Sequence, residues 1–226
     1  MAFVSLSLGI ISNATARNRV PAKPMRDLFD RAFFHNTPVL LFAAACCVAF
    51  AGLYVPAYYM GIHSLSIGGS EDAAFYLVAA MQAGSILGRL GPGYFADRTG
   101  PLNMFIPACL VAGTLTLCWM GVENVAGLFV FAVLYGAAFG LALAMAAMCI
   151  LSLLKGQMAS FGTTLGMCLF FSSPGVLVGG PIAGAILNDG GDFVGVQAVS
   201  GCITILAGLL ALTARGLTVD FKAQKI

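Results

Sequence analysis

The sequence predicts an all-α membrane protein built as a bundle of six transmembrane helices. Of its 226 residues, 60% are hydrophobic and only 9% are charged, whereas a soluble domain carries about 25% charged residues. Six apolar runs are long enough to cross the roughly 30 Å hydrocarbon core of a bilayer as helices. Lysine and arginine are concentrated in alternate connections between these runs, which is the charge pattern of membrane-inserted helices.

The predicted spans cover residues 38–60, 73–94, 103–121, 125–154, 162–187 and 194–214. None of them alternates apolar and polar residues with a period of two, so membrane-spanning strands are not indicated. Around these spans we divide the chain into four parts. They are a remnant of a preceding helix (1–16), a cytoplasmic linker (17–37), the six-helix transmembrane domain (38–215) and a cytoplasmic tail (216–226).

The basic residues orient the bundle. Apart from Arg89, all of them lie before the first span, after the sixth, or in the second-to-third and fourth-to-fifth connections. The other three connections contain no lysine or arginine, and their charged residues are all acidic: Glu71, Asp72, Glu123, Asp189 and Asp192. Because positive charge is retained on the cytoplasmic side, we expect both termini in the cytoplasm. We expect the bilayer to be the plasma membrane rather than that of an organelle.

Several functional classes find no support in the sequence. The net charge of +2 and the lack of a basic patch interleaved with aromatic residues argue against a nucleic-acid partner. The seven cysteines lie in apolar runs without a CxxC pair, so we interpret them as packed small residues and predict no metal or cofactor. His35 and His63 are isolated, and no nucleophile or phosphate-binding motif is present, so no enzyme activity is predicted.

Arg89 is the only charged residue assigned to the interior of a predicted span. A charge near the centre of a transmembrane helix costs about 2.5–3.5 kcal/mol on insertion scales, so such a residue is a candidate functional site. Its guanidinium could hold an anionic substrate through two hydrogen bonds. In the alternative interpretation, Arg89 lies about one turn from the cytoplasmic end and its side chain reaches the lipid headgroups. The sequence leaves both interpretations open.

Helical geometry groups two further candidates with Arg89. Gln82, Ser85 and Arg89 occupy positions i, i+3 and i+7. This spacing predicts one polar stripe along the second span. Such a stripe would line a water-filled pathway. The opposite side of the helix is a predicted close-packing seam formed by three glycines: Gly84, Gly88 and Gly91.

Three tyrosines lie towards the outer end of the first span. We interpret Tyr54, Tyr58 and Tyr59 as an interfacial aromatic belt, the position that tyrosine favours in membrane proteins. Tyr54 and Tyr58 also share one face of the helix, because they are four residues apart. These two are therefore additional candidates for contact with a substrate.

The second span runs into a predicted cytoplasmic turn that contains Gly93, Asp97, Arg98 and Gly100. The two glycines would permit a tight reversal of the chain. Asp97 could cap or pair with a neighbouring helix end. An ordinary polar turn would have the same composition, so the residues alone do not assign a function to it.

The run GSILGRLGPGYFADRTGPLN (84–103) resembles the connection between the eighth and ninth helices in the fungal monocarboxylate-porter-like branch of the major facilitator superfamily. The four turn residues match the superfamily's cytoplasmic loop motif, although Pro101 and Leu102 stand where that motif often has basic residues. Runs 41–59, 131–140 and 162–187 resemble its seventh, tenth and eleventh helices, and residues 1–19 resemble the end of the sixth. The resemblance implies the C-terminal six-helix half of a twelve-helix fold.

In that family the eighth helix carries an arginine proposed to hold the substrate carboxylate, and Arg89 matches it. Animal members place an aspartate one turn earlier, where this chain has Ser85, which puts their proton coupling in doubt here. The resemblance implies half of a secondary transporter for small organic anions such as monocarboxylates, working by alternating access beside a second half or a second copy. The alternative is a truncated chain that transports nothing, or one that modulates a full-length relative by pairing with it.

Overall fold

The computed structural model describes residues 2–15, 31–154, 158–190 and 192–218, and the regular structure within these ranges is helical. The helices, in chain order, are α1 (Ala2–Thr15), α2 (Arg31–His35), α3 (Thr37–Ser66), α4 (Glu71–Thr99), α5 (Pro101–Cys118), α6 (Val125–Leu153), α7 (Met158–Gly190) and α8 (Phe193–Thr218). A short 3-10 turn at Trp119–Gly121 follows α5.

Helices α3 to α8 are each long and apolar enough to cross a membrane. They coincide with the six predicted spans, so the predicted six-helix membrane fold is confirmed. The main difference lies at helix ends, where α3 continues to Ser66 and α4 to Thr99. The polar residues at these helix ends led us to predict loops there. A helix that leaves the bilayer keeps its internal hydrogen bonds, however, while its polar side chains are solvated.

The parts of the chain outside the bundle are only partly described. The segment predicted as a helix remnant forms α1, and its side chains from Leu6 to Ser12 are exposed. Most of the predicted linker lies outside the described residues, and its end forms α2. The predicted cytoplasmic tail also lies outside them from residue 219 onwards.

Helix starts follow the sequence closely. The Ser70 side chain accepts a hydrogen bond from the Ala73 amide at 3.1 Å, and Asn124 accepts one from the Gly127 amide at 2.6 Å. Each satisfies one of the amides that the first turn of a helix leaves without a partner. Both capping residues lie in connections that the charge pattern predicts to be on the outer side, and they define the N-terminal ends of α4 and α6.

Helix α3 lies at the centre of the packing. Helices α4, α6, α5 and α8 pack in that order around one side of it, with α4 and α8 both contacting α3. Helix α7 packs mainly on the remaining side of α3. One large apolar core joins side chains from α3, α5 and α6, and it includes Phe42, Phe105 and Tyr135. As a result, α4 and α7 flank α3 at the margins of the bundle.

The contact between α4 and α6 is made by glycines from both helices. A methyl group added at any of the four would meet a backbone carbonyl of the other helix closer than atoms normally approach. The pairs are Gly84 with Val133, Gly88 with Ala137, Gly136 with Met81, and Gly140 with Ser85. The predicted glycine seam is therefore real at positions 84 and 88, where close backbone contact replaces the missing hydrophobic driving force in lipid.

Polar side chains support the backbone near prolines within the helices. Pro174 cannot bond to the carbonyl of Phe170, and the Ser173 hydroxyl donates to that carbonyl at 2.8 Å. In α3, the buried Tyr135 hydroxyl donates at 2.7 Å to the carbonyl of Leu53, three residues before Pro56. The Ser173 bond replaces the one that Pro174 cannot make, which is one way in which membrane helices tolerate internal proline.

All seven cysteines are free thiols. Four of them are buried in the helix packing, as expected for small apolar residues: Cys46, Cys109, Cys149 and Cys168. Cys47 is half-buried, and Cys118 and Cys202 are exposed on the outside of the bundle.

Candidate functional site

The predicted polar stripe of α4 is divided between two faces of the helix. Gln82 and Arg89 are exposed, whereas Ser85 is only 2% exposed and lies at the contact with α6, where its backbone meets Gly140. The prediction that all three share one pathway-lining face is therefore wrong for Ser85. A small side chain at the edge of a glycine seam is enclosed when the two backbones come together, and the sequence spacing alone did not reveal this.

The register between α4 and α6 gives the depth of Arg89. Both helices run in the same direction, and Ser85 meets Gly140 while Gly88 meets Ala137, so Arg89 is level with residues 138–144 of α6. That stretch lies within about 7.5 Å of the middle of α6 and at least about 14 Å from its end at Leu153. Helix α4 itself continues about 15 Å beyond Arg89 to Thr99. Arg89 is therefore more than one turn from the C-terminal end of its helix.

The guanidinium of Arg89 lies within electrostatic range of the Tyr54 phenol on α3. Tyr54 is partly buried, and its ring meets Phe139 of α6 edge-on with centroids 5.4 Å apart. Phe139 is at the midpoint of α6, so Arg89 approaches groups in the middle of the bundle. This arrangement favours the pathway interpretation of Arg89 over extension to the headgroups.

Four aromatic rings form what we call the aromatic platform: Phe50, Tyr54 and Tyr58 of α3 and Phe139 of α6. The Tyr54 ring meets Phe50 edge-on at 6.0 Å and stacks on Tyr58 at 5.9 Å with 27° between the ring planes. Phe50 and Phe139 are 8% and 5% exposed, whereas Tyr58 is 52% exposed. The structure thus brings the predicted residues Tyr54 and Tyr58 together.

Tyr59, which we grouped with these tyrosines in an interfacial belt, has a different role. Its hydroxyl donates at 2.9 Å to the Gly180 carbonyl and connects α3 to α7. Tyr54 also packs against Phe139 of α6, so both residues make contacts between helices that the belt interpretation did not include. Facing helices decide such contacts, and a single span does not contain that information.

The turn between α4 and α5, which we predict to be cytoplasmic, is shorter than expected from the sequence. The backbone at Gly93 is helical, and the chain reverses only at Gly100, whose φ of +90° lies in the region that favours glycine. The prediction of Gly93 as a reversal residue is therefore wrong. Arg98 is exposed in the last turn of α4, and the side chain of Asp97 lies outside the described residues.

One buried polar contact was missed by the sequence analysis. The Trp119 indole donates at 3.1 Å to Nδ1 of His63, and Phe193 lies against the same imidazole at 4.8 Å. This contact joins α3, the 3-10 turn and the start of α8 at the outer end of the bundle. The only signal in the sequence was that His63 and the single tryptophan both fall near the outer ends of their spans.

The described residues contain no group of histidine, cysteine or carboxylate side chains that could hold a metal ion. A small cleft between α3, α7 and α8 is lined by apolar residues and Ser200, away from Arg89. Gln82, Arg89 and Tyr58 are exposed at the surface of the bundle. We define the open face as the exposed surface with Gln82 and Arg89 of α4 and Tyr58 of α3.

Sequence comparison adds relatives to this geometry. The chain is 35% identical over 214 residues to the aspyridones efflux protein apdF of Emericella nidulans, covering 92% of this chain and 43% of the relative. It is 32% identical over 211 residues to the MFS-type transporter dbaD of the same fungus, covering 92% of this chain and 47% of the relative. The chain is a homologue of fungal major facilitator transporters.

A third relative of the same type is the agnestins efflux protein AgnL12 of Paecilomyces divaricatus, which is 31% identical over 215 residues. That match covers 95% of this chain and 49% of the relative. No protein-family model matches the chain. The chain spans just under half the length of these relatives, and its six helices correspond to one half of the major facilitator fold.

Proposed function

We propose that this chain supplies the substrate-holding half of a secondary transporter that moves small organic anions, such as monocarboxylates, by alternating access. The proposal includes membership of the monocarboxylate-porter-like branch of the superfamily. In it, Arg89 is the contact for the anionic group. Gln82, Tyr54 and Tyr58 form the surface around that contact, and Ser85 supports the helix from its packed side.

The observation that carries the proposal is the exposure of Arg89 on a face inside the membrane depth of the bundle. A guanidinium against lipid tails is costly, and intramembrane charges therefore face protein or water. A guanidinium that is exposed at this depth is suited to bind a carboxylate through paired charge-assisted hydrogen bonds. Gln82, two turns away on the same exposed side, would keep this surface hydrated.

A second six-helix unit is part of the proposal, because the open face cannot enclose a substrate alone. Helices α4 and α7 each have only 28% of their most apolar segment buried, the lowest share among the six spans. They flank α3, so a partner unit resting on both would cover Arg89 and Tyr58 together. The partner is either another half or a second copy of this chain, arranged as in two-unit transporters.

We further propose export as the direction and the plasma membrane as the location, with both ends of the bundle in the cytoplasm. Support for export is limited to the two relatives described as efflux proteins. Proton coupling through an aspartate one turn before Arg89 is not part of the proposal, since Ser85 holds that position. The alternating charge of the connections supports the orientation, with Arg98 on the cytoplasmic side.

The test is transport by the purified chain in proteoliposomes, first with radiolabelled lactate and benzoate as probes. Arg89→Gln keeps a polar side chain of similar length and removes the charge, so we expect uptake to fall at least about tenfold, the loss of one charge-assisted contact. Arg215→Gln, at the end of α8, is the matched control and should retain uptake. Cross-linking of the same samples reports whether two chains associate.

Two results would contradict the proposal. Uptake unchanged by Arg89→Gln would remove the arginine from the transport route. No uptake of any probe by chains that are correctly inserted and associated would favour the non-transporting alternative instead.

A further inference from the structure

The bond between His63 and Trp119 requires one particular state of the imidazole. An indole N–H is only a donor, so the bond of 3.1 Å from Nε1 of Trp119 to Nδ1 of His63 needs a free lone pair on that nitrogen. The imidazole is therefore neutral, with its hydrogen on Nε2. A proton added to Nδ1 makes both ring nitrogens donors. Two N–H groups then face each other, and the bond is lost.

Both partners of this bond are removed from water. Trp119 is fully buried, and His63 is 8% exposed. The ring of Phe193, at the start of α8, lies against the imidazole with centroids 4.8 Å apart. A buried donor that loses its acceptor is destabilising. The protonated imidazole and the indole N–H can recover hydrogen bonds only by moving apart towards water.

The His63–Trp119 bond joins the parts of the chain that meet at the end of the bundle predicted to be outer. It connects the end of α3 to the 3-10 turn, and that turn also contacts α8. The indole stacks on Phe131 of α6 at 5.3 Å with 15° between the planes. The neighbouring Ser64 hydroxyl is buried without a hydrogen-bond partner in the described part of the chain, which weakens the closed arrangement. Closure of this end therefore depends on the neutral imidazole.

The other ionisable groups around this end do not respond to mild acidification as histidine does. Carboxylates are charged, and phenols and thiols are neutral, through most of the range in which an imidazole titrates. The groups on the neighbouring elements are the exposed Glu71, Asp72, Cys118, Glu123 and Asp192, and the half-buried Tyr59 one turn earlier on α3. The side chain of Asp189 lies outside the described residues. In the described part of the chain, none of these side chains is hydrogen-bonded to the imidazole.

We propose that His63 is a proton-operated latch at the outer end of the bundle. The neutral imidazole holds this end closed, and protonation opens it. The proton comes from water on the outer side and binds to Nδ1, while the indole N–H of Trp119 exchanges its nitrogen acceptor for water. Acidification on that side then separates the end of α3 from the 3-10 turn and the start of α8. The inference goes beyond the proposed function, since it involves neither Arg89 nor a substrate.

The test follows the indole hydrogen itself. Trp119 is the single tryptophan of the chain, so labelling with ¹⁵N-tryptophan gives one indole signal in an NMR spectrum. The 226-residue chain is placed in lipid nanodiscs, and exchange of this hydrogen with deuterium is measured at about pH 7.5 and about pH 5, on either side of the usual histidine titration. Each rate is divided by that of free N-acetyltryptophanamide at the same pH. We expect protection to fall about five- to thirtyfold on acidification, the effect of losing a buried hydrogen bond.

Two variants assign the effect to His63. In His63→Asn, the amide oxygen can take the place of Nδ1 and accept from the indole, but it does not titrate. Its protection should therefore be the same at both pH values. His35→Asn is the matched control, because His35 is the second histidine and is exposed on α2. This control should keep the full fall in protection.

Three results would overturn the inference. They are equal protection of the original chain at both pH values, absence of protection at both, and an equal fall in His63→Asn. Should His63→Asn fail to insert, the imidazole ¹⁵N signals of the original chain decide, because the fall must coincide with protonation of Nδ1. None of these measurements depends on transport, so a failure of the proposed function is distinguishable from a failure of the latch.

Discussion

Helices α3 and α6 differ sharply from α4 and α7 in how much of them the bundle covers. In α3 and α6, 56% of the most apolar segment is buried, whereas α4 and α7 have 28% each. Exposure alone is expected wherever a helix meets lipid. The exposed side of α4, however, includes a guanidinium and a carboxamide, at Arg89 and Gln82, while the large exposed residues of α7 are apolar.

The exposed surfaces of α4 and α7 therefore suit different surroundings. Apolar side chains such as Leu177 of α7, which is 76% exposed, are stable against lipid tails. Arg89 is not, so the part of α4 beside α3 needs water or protein as its neighbour. The central pair α3 and α6, by contrast, supplies a rigid aromatic surface behind that charge.

The largest expected loss of stability comes from a substitution that disrupts the contact between α4 and α6. Gly88→Ala places a methyl group against the backbone carbonyl of Ala137, which cannot move aside without shifting α6. We expect a loss of about 3 kcal/mol in the free energy of unfolding, the upper end for overpacked sites. Thermal unfolding in detergent micelles measures it.

Gly166→Ala is the control, because a methyl group at Gly166 of α7 has no atom within 4 Å. Its stability should stay level or rise slightly, since alanine has the higher helix propensity. Equal melting temperatures for the two variants would contradict the account of the α4–α6 contact.

A smaller effect is expected within the central pair. Tyr135→Phe removes the hydroxyl that donates to the buried carbonyl of Leu53. We expect a loss of about 1.5 kcal/mol, the upper end for one intramolecular hydrogen bond. Denaturant titration followed by fluorescence of Trp119 would report it, and an unchanged midpoint would argue against this bond.

The smallest effect should come from the corresponding bond at the margin. Tyr59→Phe removes the donor to the Gly180 carbonyl, which is only partly buried. Water and headgroups can replace part of that bond, so we expect a loss of about 1 kcal/mol or less. A loss of stability larger than that of Tyr135→Phe in the same titration would contradict the claim that bonds between α3 and α6 stabilise the bundle more than bonds to α7.

The sequence was sufficient for the membrane spans because apolar runs and cap residues act locally. Ser70 and Asn124 cap the helices that they precede. Gly100 makes the turn after α4, and the helix continues through Gly93 to reach it. Residues whose position depends on a neighbouring helix were not predictable. Ser85 is enclosed by Gly140, and neither residue type nor spacing distinguishes a serine in a seam from one in a pathway.

The candidate site was predicted in part for the same reason. Arg89 stands out as the single charge within a span, and Tyr54 and Tyr58 share a face by their spacing. Phe50 and Phe139 look like ordinary core residues until α3 and α6 are brought together. Charge identifies a site in an apolar sequence, whereas its aromatic surroundings come from tertiary packing.

The central claim is that the exposed side of α4 around Arg89 lines a water-filled pathway rather than facing lipid. Cysteine labelling tests it directly, in a background with the exposed Cys118 and Cys202 replaced by serine. Gln82→Cys lies on the face under test. Leu87→Cys is the control, 65% exposed and about 140° further round the helix.

The chain is inserted in vesicles and treated with a charged, membrane-impermeant thiosulfonate, and the added mass is measured. We predict that Gln82→Cys reacts and Leu87→Cys does not, because thiols in hydrocarbon do not ionise and the reagent does not enter lipid. Addition of an excess of benzoate should slow the reaction at position 82. Equal resistance of both positions to the reagent would contradict the account and place Arg89 against lipid.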